Sequence, residues 1–191
     1  MKKVLVIVDP QNDFITGALP VETASEKMNA LVKHLWETNY DAIFVTLDSH
    51  PENHCSFECN GGQWPVHCVI TDEGWDIPED LDRILKLRSL TEDCDVCYFQ
   101  KGDNPNVEEY SILDNEDDGR DFRVWLEEFD IQGGLEIHLC GIAGDYCVLE
   151  TLKGLNKLFD NITVLSDYTA SIDGGVALNE YISKNPNIKL V

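Results

Sequence analysis

The unbroken apolar run Val4–Val8, ending on the carboxylate of Asp9, constrains this chain more than any other segment. A strand with one wet face alternates apolar and polar residues. A strand apolar at every position must be buried on both faces, as in a parallel sheet covered by helices. Further short β-branched runs occur at Ala42–Leu47, Val96–Phe99, Leu135–Cys140, Ile162–Leu165 and Ile188–Val191. Helical patterns separate them at Ala24–Thr38, Val107–Leu113, Phe122–Phe129, Tyr146–Phe159 and Val176–Ser183. This alternation predicts an α/β fold with a mainly parallel, about six-stranded sheet and right-handed crossovers.

At 191 residues the chain has the size of a single domain over residues 1–191, and no repeat or Pro/Gly/Ser-rich linker divides it. The apolar fraction of 43% suffices for a real core. Acids outnumber bases 36 to 14, for a net charge of −22. Such a field repels phosphate backbones and anionic lipid, which excludes nucleic acid and membrane surfaces as partners. A small-molecule substrate is expected instead, and assembly into a homo-oligomer stays open. After Met1-Lys2-Lys3 only five apolar residues follow, too few for a signal peptide, and no stretch approaches the ~18 of a membrane span. Seven cysteines, an odd count in a chain large enough to fold without staples, fit reduced thiols and a cytoplasmic location.

Two segments break the alternation. Asp48 to about Pro78 is rich in His, Cys, Gly and Trp, and reads as a metal-binding loop insertion around 48–78. Asp114–Asp121 packs five acids into eight residues, the pattern of a solvated surface loop. In open parallel sheets ligands sit beyond the carboxyl ends of the strands, so those ends are where chemistry is expected.

The first strand ends on Asp9, a carboxylate that either works chemically or caps the following turn. The second ends in Asp48-Ser49-His50, with His54 and His67 beyond; three of the five histidines fall between positions 50 and 67. A carboxylate with two or three imidazoles suits Zn, Fe or Mn, and an Asp-x-His pair on extended chain projects both side chains to one side. The third strand ends at Lys101, which either snorkels to solvent or holds an anion. The fourth enters Cys140-Gly141-Ile142-Ala143-Gly144-Asp145-Tyr146-Cys147, a glycine-bearing turn into a helix. There Cys147 falls in the first helical turn, where backbone N–H groups favour a thiolate, so it is a nucleophile candidate beside the alternative of a core cysteine. Cys140, inside the strand run, reads as core; Cys94-x-x-Cys97 lacks a second pair and reads as structural rather than redox-active.

Taken together and in order, these segments resemble the isochorismatase-like cysteine hydrolases over about residues 3–170. The resemblance rests on Asp9 to Phe14, Asp48 to Phe57, Trp64 to Cys68, Lys101-Gly102, Tyr110-Ser111 and Gly141 to Val148. Within that group, the Asp-x-His pair combined with Trp-Pro-x-His-Cys is similar to the nicotinamidase/pyrazinamidase branch. The resemblance implies a Rossmann-like three-layer α/β/α fold and an amidase that uses Asp9, Lys101 and Cys147. It implies conversion of nicotinamide to nicotinate and ammonia through a cysteine thioester, a step of NAD salvage. It also implies one divalent ion, Zn before Fe or Mn, on Asp48, His50 and His67, with His54 a neighbour or additional ligand. The Ile142–Ala143 peptide is expected to be cis, with the Ala143 and Cys147 N–H groups forming an oxyanion hole. Phe14 and Trp64 are expected to sandwich the substrate ring, joined at the substrate by Ile142 and Tyr146. Gly144 departs from the family motif, which carries Thr or a similar residue there, and the acidic stretch Asp72–Leu90 lies outside the resemblance. A hydrolase of another small amide, an isochorismatase-type enzyme and a non-catalytic metal-binding module are the alternatives.

Overall fold

A computed structural model describes residues 1–91 and 93–191. Among the described residues six strands form one sheet: β1 (Lys2–Val8), β2 (Ala42–Asp48), β3 (Asp95–Lys101), β4 (Leu135–Ile142), β5 (Ile162–Ala170) and β6 (Ile188–Leu190). They lie in the order β3-β2-β1-β4-β5-β6, and every pairing is parallel. The helices are α1 (Asn12–Ile15), α2 (Ala24–Glu37), α3 (Glu79–Ser89), α4 (Asp118–Ile131), α5 (Cys147–Leu155) and α6 (Val176–Lys184).

The period of two along β1 sorts its side chains into two cores. Val4, Val6 and Val8 face one side with Phe122, Leu126 and Phe129 of α4 and Val148 and Leu152 of α5. Leu5 and Ile7 face the other with Met28, Leu31 and Leu35 of α2 and Leu81, Ile84 and Leu85 of α3. Helices therefore cover both faces, as the α/β/α expectation requires, and Val4 to Val8 are all fully buried. Chain order along the sheet reverses at β1, whose neighbours are β2 and β4, so the crevice opens where their connections diverge.

All six expected strands form. The helix expected over Val107–Leu113 does not; only a single 3-10 turn, Ile112–Asp114, forms there. Tertiary hydrogen bonds claim its backbone and side chains instead. The Val107 carbonyl accepts from His54 Nε2 at 3.0 Å, and the Glu109 carboxylate accepts from the Gly102 N–H at 2.8 Å. Conversely α3 arises in the acidic stretch outside the family resemblance. Its stripe of Leu81, Ile84 and Leu85 has helical spacing, with three acids in the first turn and Lys86 and Arg88 in the last, as the helix dipole favours. The acidic loop expected over Asp114–Asp121 is helical from Asp118 onward, and Asp118 Oδ2 accepts from the Gln100 N–H at 2.6 Å. Among the described residues no helix is long and apolar enough to cross a membrane, and all seven cysteines are free.

Candidate active site and metal centre

The carboxyl ends of β1, β2 and β3 and the start of α5 meet in one place. Asp9 ends β1 with a left-handed φ of 47°, a conformation Asp tolerates. Its Oδ1 accepts from the Thr46 hydroxyl at 2.7 Å. Lys101, wholly buried at the end of β3, places Nζ 2.9 Å from Asp9 Oδ2, 2.9 Å from Asp48 Oδ1 and 3.6 Å from Cys147 Sγ. The alternative of a snorkelling lysine is thereby removed. Asp9 Oδ2 lies off the line of a good hydrogen bond from Nζ, so among the described residues this buried oxygen has no hydrogen-bond partner.

Burial and charge decide the protonation of this cluster. Burial pushes the Lys101 ammonium down, but Asp48 and Asp9 hold it well above its ordinary range. Burial pushes the Asp48 carboxyl up, but Lys101 and His50 hold it well below the usual carboxylate range. For Asp9, burial prevails over Lys101, and its pKa is raised. Burial likewise carries the Cys147 thiol well above its ordinary value despite Lys101. The helix-start position was expected to favour a resting thiolate; six percent exposure outweighs that dipole, and the sulfur rests as a thiol.

Asp48, His50 and His67 are all buried, and their donor atoms lie within 4.8 Å of one another. That is close to the spacing that bonds of ~2.0–2.2 Å to a single ion demand. His50 Nδ1 donates to the Gly102 carbonyl at 2.8 Å and His67 Nδ1 donates to the Pro65 carbonyl at 2.8 Å, which leaves both Nε2 lone pairs free. Among the described residues the buried His50 Nε2 has no hydrogen-bond partner, and it lies 3.0 Å from Asp48 Oδ2. An orphaned imidazole nitrogen beside a carboxylate fits a divalent ion. Gly102 leaves room for this cradle: its φ is +73°, and a Cβ there would stand 2.6 Å from His50 Cε1 and 2.9 Å from Asp48 Oδ1. His54, offered as a further ligand, does not join the set. Its Nε2 donates to the Val107 carbonyl, its Nδ1 meets Ser56 Oγ at 2.7 Å, and its ring stacks on His50 at 4.0 Å.

Asp48, His67 and Cys147 of this cluster line a cleft of about 380 Å³, counted to its open mouth. Phe14, Trp64, Tyr146, Ala143 and Cys147 line it as expected. Ile142, expected at the substrate, is instead wholly buried in the core; what it contributes is the cis peptide it shares with Ala143. Among the described residues neither the Ala143 nor the Cys147 N–H has a protein acceptor. Glu108 escaped the sequence reading, and Tyr110 and Gln11 figure there only as motif residues without a role. Glu108 lines the cleft, and burial raises its pKa. Tyr110, whose hydroxyl accepts from Trp64 Nε1 at 3.1 Å, braces the aromatic wall. Gln11 exchanges two 2.8 Å hydrogen bonds with the Asp48 backbone.

The chain is 30% identical over 189 residues to the nicotinamidase of Escherichia coli (strain K12), covering 86% of this chain and 81% of that one. It belongs to the nicotinamidase branch of the isochorismatase-like hydrolases. Membership of this branch makes it an amidase. No model in a scan of protein families matches it. Among solved structures, the pyrazinamidase of Pyrococcus horikoshii in complex with zinc is similar at TM-score 0.74 and 32% identity, over 100% of this chain and 99% of that one. PnC1 from L. infantum in complex with nicotinate is similar at TM-score 0.82 and 27% identity, over 100% and 92%.

Proposed function

We propose that this branch member, acting as one domain over residues 1–191, hydrolyses nicotinamide to nicotinate and ammonia through a thioester on Cys147. The observation that carries the reading is the Lys101 ammonium, which touches Asp9, Asp48 and the Cys147 sulfur beneath an aromatic cleft. The zinc and nicotinate of the two similar structures support it. Seven free thiols suit a reducing cytoplasm, where the reaction would serve NAD salvage.

With the amide between Phe14 and Trp64, the raised pKa of Asp9 makes it a stronger base than an exposed carboxylate, and its unpartnered Oδ2 takes the Cys147 proton. The sulfur forms a bond to the amide carbon. The Ala143 and Cys147 N–H groups receive the oxyanion, each worth about 3 kcal/mol. Asp9 then gives its proton to the amide nitrogen, the C–N bond breaks, ammonia leaves and the thioester remains. Asp9 next takes a proton from water, the hydroxide adds to the thioester carbon, and the C–S bond breaks. Nicotinic acid leaves and gives up its proton to solvent as nicotinate, and the Cys147 thiolate recovers a proton from Asp9. Lys101 stays charged throughout and holds Asp9 beside the sulfur. Asp48, His50 and His67 would hold a divalent ion, zinc before iron or manganese, and when bound it would orient the ring through the ring nitrogen.

Ammonia release from nicotinamide tests the reading, with the acyl enzyme sought by mass spectrometry after rapid quenching. Cys147→Ala is expected to abolish both signals. Turnover within tenfold of the unmodified enzyme in that variant removes the thiol from the scheme.

A further inference from the structure

We infer that Ile172, held in place by the Asp145 carboxylate, restricts the cleft to carboxamides of a single unsubstituted ring. This deepens the reading of the site as a nicotinamidase and rests on it. Ile172 lines the substrate cleft and also a second cavity of about 750 Å³, again counted to its open mouth. No other described side chain lines both. The second cavity is of mixed character, with Thr23, Lys27, Ser166, Ser171 and Asn179 among its walls beside Leu178 and Leu190. One isoleucine, half exposed, thus stands between an apolar slot and a groove able to take a polar extension of the ring.

Nothing about an isoleucine on a turn fixes its position, so the restraint must come from elsewhere. Asp145 supplies it, two residues before the nucleophile. Its Oδ1 accepts from the Ile172 N–H at 2.9 Å and its Oδ2 from the Asp173 N–H at 3.0 Å. Charge-assisted bonds to consecutive amides fix both distance and orientation. Gly144, where the family motif carries Thr, allows the close approach this needs. Its N–H donates to the Ala170 carbonyl at 2.7 Å, and a Cβ on it would collide with Ser171 Oγ. On the far side Asp173 accepts from the N–H groups of Gly175, Val176 and Ala177, which caps α6. Only Gly174 and Gly175, at φ of 71° and 89°, offer the turn conformational freedom. The partition is therefore tied to the same loop that carries Cys147. Asp145 is a positioning residue and Ile172 a specificity-determining one.

The test compares nicotinamide with nicotinamides bearing a hydroxymethyl group on the ring, in the unmodified enzyme, Ile172→Ala, Asp145→Ala and the double variant. Ile172→Ala is expected to raise the kcat/KM ratio of substituted to parent amide by about tenfold or more, the scale of methylene-sized changes in a pocket. Asp145→Ala should shift the ratio the same way, and should add less than about twofold when Ile172 is already alanine, because it acts through that side chain. A general loss of folding would slow both substrates alike and leave the ratio fixed. The inference is overturned when either single variant leaves the ratio within twofold of the unmodified enzyme. An unmodified enzyme inert toward nicotinamide would sink the amidase reading instead. The partition is then judged by the affinity ratio of the corresponding nicotinates in calorimetry, on the same twofold criterion.

Discussion

Lys101→Met tests whether the buried ammonium, rather than packing, keeps two carboxylates ionised inside the protein. Methionine keeps most of the side chain's volume and removes the charge. The two carboxylates do not suffer equally. Asp48 retains His50 at 3.0 Å from its Oδ2, whereas Asp9 retains only the Thr46 hydroxyl on Oδ1. Removing one partner of a buried ion pair costs about 3–5 kcal/mol, because the survivor is left uncompensated in a dry site. In a chain of this size each kcal/mol moves the melting midpoint by about 2–4 °C, so a fall of about 6–20 °C at pH 7.5 is expected. The sign of the pH dependence follows from Asp9. Burial already raises its folded pKa, and loss of Lys101 raises it further, above an unfolded value near ~3.9. Such an acid is harmless to stability while protonated and destabilising as pH rises through its folded pKa. The deficit should therefore narrow from pH 7.5 to pH 5, and the double variant Lys101→Met/Asp9→Asn should recover at least half of it at pH 7.5. Calorimetric melting of the three proteins at both pH values measures this. A single variant that melts within 2 °C of the parent at pH 7.5, or a deficit that widens on acidification, refutes the reasoning.

Two further outcomes follow from groups around the site and across the sheet. Gly102→Ala places a methyl group against His50 and Asp48 and forces a left-handed backbone at a cost of about 1–3 kcal/mol; divalent metal bound per chain after loading, measured by elemental analysis, should fall below half that of the parent, and equal occupancy would refute the crowding argument. On the other side, His138 Nε2 donates to Glu136, Tyr40 donates to His138 Nδ1 at 3.1 Å, and His34 Nε2 donates to Tyr40 at 2.7 Å. Burial lowers the pKa of both His34 and His138, so their neutral forms stabilise the fold above about pH 6.5, and this contribution is lost as pH falls toward their folded values. The melting midpoint of His138→Gln should accordingly drop less between pH 7.5 and 5.5 than that of the parent, and parallel curves would count against it.

What the sequence disclosed, and what it did not, divides by the range of the interactions involved. β1 was legible because five consecutive apolar residues report burial on both faces without reference to anything distant. Cys147 was legible because glycines and a following helical pattern mark a strand-to-helix turn. Lys101 was legible only through the family resemblance and as one of two local alternatives, since its own run cannot reveal that Asp48, its register partner on β2, and Asp9 beyond β1 enclose it. The role of Gln11 and the involvement of Thr46 escaped for the same reason, as each is defined by a contact 37 residues away. The apolar spacing at Val107–Leu113 misled because hydrogen bonds from His54 and Gly102 outweigh local helix preference. At α3 the opposite happened: a high density of acids concealed an ordinary amphipathic stripe.

The strand order explains why position 101 must carry a lysine and not merely a cation. Asp48 and Lys101 are register partners on adjacent parallel strands, so their side chains leave the sheet on the same side. From β3 the ammonium has to pass β2 to reach Asp9 at the end of β1 and the sulfur that follows β4. It meets the two carboxylates at equal distance and the thiol a little farther off, which suits a compact point charge on a long apolar stem. An arginine's planar fork would pair bidentately with one carboxylate and leave the other unserved. Asp48 completes the logic by dividing its two oxygens, Oδ1 toward Lys101 and Oδ2 toward His50 and His67. The candidate metal site and the Cys147 sulfur are therefore joined through Lys101, whose ammonium contacts Asp48 Oδ1 on one side and Cys147 Sγ on the other, so a change of charge at either is transmitted through that ammonium.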